Sequence, residues 1–100
     1  YPLTLSLTKI LCVANVAVSV QVWTRRDSTD IAGQLRLQGG QLTGLSATST
    51  VACAPTINTW VLSSALTFTP TEAGVVEIVF DVYDGVGTTN NFWVDDVVIS

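Results

Sequence analysis

Two adjacent carboxylates, Asp95 and Asp96, lie near the end of the chain, and Asp81 and Asp84 bring the last 20 residues to four acids. Paired carboxylates perform general acid/base chemistry when they flank one bond across a cleft, roughly 5 Å or more apart. Neighbours in an extended strand point to opposite faces, so Asp95 and Asp96 do not suit that task. One or two of these acids could hold calcium together with backbone carbonyls, since hard cations take oxygen ligands. No EF-hand loop pattern accompanies them. The residue pattern therefore assigns Asp95 and Asp96 a structural or surface role and no catalytic one, with a structural calcium as the only cofactor left open.

The aromatic residues offer more. Eight are present: Tyr1, Trp23, Trp60, Phe68, Phe80, Tyr83, Phe92 and Trp93. Phe68 and Phe80 fall in phase with apolar neighbours and read as core. Trp60 begins a strand and shares its parity with core residues, so it is expected to be buried and structural. Trp23 and Trp93 fall on the less regular faces of their segments. There an indole can stack on the flat apolar face of a sugar, anchor a protein interface, or pack at a sheet edge. Tyr83 and Asp84, where a strand meets a turn, join them as ligand or interface candidates.

Other chemistries lack their residues. With no His, neither a His-dependent nucleophile triad nor a His/Cys zinc site is available. Cys12 and Cys53 do not form a CxxC redox pair. A disulfide between them would close a loop of about 40 residues and contribute roughly 4 kcal/mol. The alternative is two separate buried thiols. "GQLRLQGG" and "DGVGTT" lack the spacing or the lysine of a phosphate-binding loop. The chain is not expected to be an enzyme.

With 48% hydrophobic and 12% charged residues, the 100-residue chain reads as one globular β-domain spanning 1–100. Its formal charge is −4, and only Arg25 and Arg26 are adjacent cations. In "RRDSTD" they sit in a solvated loop where Asp27 and Asp30 offset them. Without a basic patch, nucleic acid and anionic membrane surfaces are unsuitable partners. No apolar run approaches the roughly 20 residues of a membrane-spanning helix. The chain opens at Tyr1 and contains no Met, so it is expected to be a segment of a longer protein.

The elements that must position these residues follow a period of two. Leu3, Leu5 and Leu7 alternate with Thr4, Ser6 and Thr8. Val16, Val18, Val20 and Val22 alternate with Ala17, Ser19, Gln21 and Trp23, and four β-branched residues favour a strand over a helix. Residues 24–33 read as a polar loop ending at Gly33, followed by a strand over "QLRLQ". Gly39–Gly40 and Gly44 punctuate the chain before a weaker strand, "LSATSTVAC".

Pro55 opens a turn. "WVLSSALTF" then alternates, with Ser64 as the exception. After the "TPTEAG" turn, "VVEIVFDVY" places Val76, Ile78, Phe80 and Val82 on one face, and Asp84–Gly85 signals another turn. In "FWVDDVVIS" the phase breaks: Phe92 and Val94 share one parity, Val97 and Ile99 the other. One extra residue at Asp95–Asp96, a β-bulge, would reconcile them; coverage of both faces is the alternative. No segment reads as a helix. Six to eight short strands predict an all-β antiparallel sandwich or jelly roll.

Three features in order carry a resemblance. Trp60 heads a strand running into "LSSALTFTPTEAG". "VVEIVFDVY" follows, and the ending "FWVDDVVIS" comes after a loop. Together with the earlier "VAVSVQVWTRR", these resemble the galactose-binding-like jelly roll of carbohydrate-binding modules, over some 80 residues. The family's opening strands and calcium loop have no counterpart here. The resemblance implies a non-catalytic sandwich that binds glycans through loop or concave-face aromatics. It also implies a buried strand-leading tryptophan at Trp60 and a structural acidic pair at Asp95 and Asp96. Related domains serve as adhesion or spacer modules, so the first expectation is a structural or adhesion module of an extracellular, cell-surface or virion assembly. Its partners would be other chains or domains of that assembly. Glycan recognition through exposed aromatics is the second.

Overall fold

In the computed structural model, the residues described are 3–38, 50–52, 56–84 and 90–100. They form eight strands and no α-helix: β1 (Leu3–Cys12), β2 (Val18–Arg26), β3 (Ile31–Gln38), β4 (Thr50–Ala52), β5 (Val61–Leu62), β6 (Leu66–Phe68), β7 (Gly74–Asp84) and β8 (Phe92–Ile99). One sheet has the order β1–β7–β3–β4. In the other, β2 is central: Val20 pairs with Leu66 of β6 on one side and with Ile99 of β8 on the other. Every pairing is antiparallel. This is the all-β antiparallel sandwich the alternating pattern predicts.

The core lies between the sheets. Val18, Val20, Val22, Leu66 and Phe68 enter from one side; Leu35, Leu37, Val76, Ile78 and Phe80 enter from the other. Val16 does not continue the valine stripe. Asn15 takes a left-handed turn at φ 61°, and β2 begins only at Val18, leaving Val16 half-exposed. The polar segment 24–33 is mostly strand. β2 runs to Arg26 and β3 starts at Ile31, so the connection is four residues long.

Gly33 is not a loop end but an inward position in β3. A Cβ there would clash with Cε1 and Cζ of the Phe80 ring. The glycine leaves the space in which that ring reaches across to Phe92 of the second sheet, centroid to centroid 5.3 Å.

Both flanks of β2 are bulged. On the β8 side, Val22 pairs with Val97 but Trp23 pairs with Asp95, so Asp96 is the extra residue, with φ 50°. The phase break in "FWVDDVVIS" is therefore a bulge. On the other side, Val20 pairs with Leu66 and Trp23 with Leu62. Residues 63–65 thus oppose Gln21 and Val22, again one residue in excess. Such insertions locally increase strand twist and re-aim side chains.

Among the described residues, one side of the sandwich is open. An apolar cleft of about 500 Å³ separates β1 from β8, lined by Leu3, Leu5, Ile31, Val82, Phe92 and Val94, with Asp84, Asn90 and Asn91 at its polar part. Leu3 and Leu5 are exposed there. Cys12 is a buried free thiol at the end of β1. Cys53, the other half of the possible disulfide, lies outside the described residues. So do the Gly39–Gly40 and Gly44 punctuation, Pro55 and Gly85.

Candidate ligand-binding face

The outward positions of β2 alternate with the buried valines: Ser19, Gln21, Trp23 and Arg25. Across the ladder, Trp23 faces Asp95 on one side and Leu62 on the other, while Arg25 faces Trp93. Directly opposed residues share a face of a sheet. The outer surface of the second sheet therefore carries Trp23, Trp93, Asp95 and Leu62 together. Trp60 precedes β5 by one residue and shares the parity of Leu62, which turns it to the same surface.

This corrects the expected place of Trp60. It is 41% exposed, comparable to Trp23 at 37% and Trp93 at 40%. The reason is the bulge at residues 63–65. Parity ties Trp60 to Leu66 and Phe68 only if the strand is unbroken. The extra residue inverts the phase, so Leu66 and Phe68 face the core while Leu62 and Trp60 face out. The out-of-phase Ser64 is the one sequence sign of that inversion.

Trp23, Trp60, Asp95 and Asp96 line one cleft of about 220 Å³. The bulge builds the acidic wall. With Asp96 left-handed, its backbone N–H donates to Asp95 Oδ1 at 2.9 Å, which fixes one carboxylate oxygen beside the second acid. Arg25 does not neutralise this wall. Its guanidinium lies over the Trp93 ring, 5.3 Å from the centroid, and its buried Nε has no hydrogen-bond partner among the described residues. The ion pair on the other sheet, Arg36 with Asp81, leaves both cleft carboxylates without a cationic partner among the described residues.

The remaining candidates lie elsewhere. Tyr83 is on the outer surface of the first sheet, where its hydroxyl accepts from Gln34 Nε2 at 3.2 Å. Asp84 accepts from Asn90 Nδ2 at 2.8 Å and lines the apolar cleft between β1 and β8. Neither joins the tryptophans. Asp27, expected to offset the arginines, instead accepts the backbone and side-chain N–H of Asn91, both at 2.9 Å. Those two bonds hold its carboxyl below the usual range. They fasten the end of β2 to the entry of β8.

Asp81 is a buried structural acid. Arg36 donates to it from Nε at 2.7 Å and from the terminal nitrogen at 3.1 Å, Gln34 at 3.0 Å and Thr4 Oγ at 2.7 Å. The Arg36 bonds, against opposing desolvation and with help from Gln34 and Thr4, hold its carboxyl well below the usual carboxylate range. Among the described residues no three acids, cysteines or histidines gather to hold a metal ion, and no helix is long and apolar enough to cross a membrane.

The arrangement offers two indoles and two hydrogen-bond-accepting carboxylates to a ring-sized group. Comparison with family models, curated proteins and solved structures finds no match to the chain.

Proposed function

We propose that the chain is a non-catalytic binding module that takes a saccharide ring in the Trp23–Trp60 cleft. The supporting observation is the composition of that cleft: two tryptophans, each more than a third exposed, beside two acceptor carboxylates. An indole face covers the apolar C–H face of a sugar, and a few placed polar groups fix its hydroxyls. The resemblance to galactose-binding-like modules points to the same ligand class. The test is a panel of soluble oligosaccharides, followed by tryptophan fluorescence and calorimetry. At least one should bind saturably, and Trp23→Ala and Trp60→Ala should each weaken it about tenfold or more while leaving thermal stability nearly unchanged. Absence of binding across the panel refutes the reading.

A second reading, a structural or adhesion module of an extracellular, cell-surface or virion assembly, is favoured by the open side of the sandwich. With β5 and β6 counted as one strand interrupted at residues 63–65, one more strand placed beside β8 would give two four-stranded sheets in jelly-roll order. Among the described residues β8 pairs only with β2, so its other edge lies free above an apolar cleft, and unpaired edges over apolar surface invite strand addition. Under this reading the isolated domain self-associates or binds added strands, which a solution-mass measurement detects.

A further inference from the structure

We infer that the Trp23–Trp60 cleft selects a saccharide carrying a free ammonium group, an amino sugar rather than a neutral or acylated one. This rests on the saccharide reading above and adds the charge of the ligand to it. A neutral sugar asks of a site only apolar faces and hydrogen-bonding groups of any charge. Beyond the indole N–H groups of its two tryptophans, this cleft's side-chain polar groups are both carboxylates, Asp95 and Asp96, so every side-chain acceptor in it is an anion. Both belong to one bulge and sit without a cationic partner among the described residues.

The nearby cation is kept away from them. Arg25 shares the face, two positions along β2 from Trp23, yet its guanidinium is engaged with the Trp93 ring. The cleft is therefore lined by two carboxylates and two indoles. Indole faces attract cations through the ring quadrupole, and carboxylates add charge-assisted hydrogen bonds to an N–H donor. A hexosamine answers both surfaces at once, with an apolar ring face for the indoles and an ammonium for the acids. At about 220 Å³ the cleft lies below the roughly 300 Å³ at which drug-sized sites begin, a size suited to one ring.

The test compares three oligosaccharides of equal length: glucosamine, its N-acetylated form and glucose. Binding is measured calorimetrically at about pH 6, above the ordinary carboxylate range and below that of an amine. The variant is Asp95→Asn with Asp96→Asn. Asn tolerates the left-handed backbone at 96, and its side-chain oxygen can still accept the N–H that Asp95 now receives, so the bulge persists. Circular dichroism and thermal unfolding verify the fold.

The glucosamine oligomer should bind at least about fivefold tighter than the other two, as expected for one or two exposed charge pairs. The preference should shrink with added salt and vanish in the double variant. Equal binding of all three oligomers, or a preference that survives in the folded double variant, overturns the inference and leaves the saccharide reading standing. Failure of all three to bind the wild-type chain overturns the inference for these sugars, and the broader panel then decides the saccharide reading. Binding of an arginine-rich peptide in the cleft with none of the sugars overturns it in favour of a protein partner.

Discussion

Ser63 takes the place of a strand partner for Val22. Its Oγ accepts the Val22 N–H at 3.0 Å, while its own N–H donates to the Val22 carbonyl at 2.9 Å. Where the bulge draws one backbone out of register, a side chain supplies the missing acceptor, and Gln21 Nε2 closes on the Ser63 carbonyl at 3.0 Å. Both Ser63 and Val22 are buried. Ser63→Ala strands a buried N–H and is expected to cost about 1–3 kcal/mol. Urea unfolding should show a lowered midpoint at unchanged slope. Ser64→Ala, at an exposed neighbour, should be close to neutral; equal losses from both would show that the hydroxyl bond is not what matters.

Gly33→Ala sets a methyl into the Phe80 ring. Cε1 and Cζ of Phe80 overlap the Cβ position, and Phe92 Cζ lies 3.0 Å from it. Phe80 is fully buried between the sheets and tilts against Phe92 at 40°. The ring has no free direction, so overpacking should cost about 1–3 kcal/mol or more. The same change in a Phe80→Leu background should cost less. A double-mutant cycle measures that coupling, and strict additivity would contradict it.

The sequence announces the sheet faces but only part of the site. Alternation at Val18, Val20 and Val22 is enough to place β2, because a half-buried strand has no other way to hide valines. The phase break after Val94 likewise announces the Asp96 bulge, since apolar residues lie on both sides of it. The second bulge is quieter. Ser63, Ser64 and Ala65 are small and weakly patterned, so parity carries Trp60 wrongly into the core. Gly33 was illegible for a different reason: its necessity comes from a ring 47 residues away in sequence. The cleft exists only when both bulges are placed, which is why neither Trp60 nor its meeting with Asp95 follows from spacing.

The Arg36–Asp81 pair predicts an acid limb in stability. Its two hydrogen bonds lead the donors that hold the Asp81 carboxyl well below its unfolded range, near 3.9. A group with a depressed folded value stabilises fully above its unfolded value. That contribution drains away as pH falls below about 4 toward the folded value. Asp81→Asn should cost about 2–3 kcal/mol at neutral pH, the scale of hydrogen bonds to charged groups. It should also flatten the curve below about pH 4. Urea titrations at stepped pH measure both; an acid limb unchanged by Asp81→Asn would assign it to other carboxyls.

Asp96 separates backbone strain from strand phase. It holds φ 50°, a conformation costing a residue with a side chain about 1–2 kcal/mol, less for Asp and nothing for Gly. Asp96→Gly should leave stability unchanged or raise it by up to about 1 kcal/mol, and Asp96→Val should lower it by about 1–2 kcal/mol. Deleting Asp96 tests the phase itself. Without the extra residue, Phe92, Val94, Val97 and Ile99 fall on one parity, so the inward set still meets the core and the strand can pair with β2 in a single register. The deletion variant should therefore fold cooperatively while losing one of the two carboxylates beside Trp23 and Trp60. A folded deletion variant that binds the ligand as the wild type does would show that the bulge shapes the strand and not the site. An unfolded one would show that β2 needs the twist the bulge imposes.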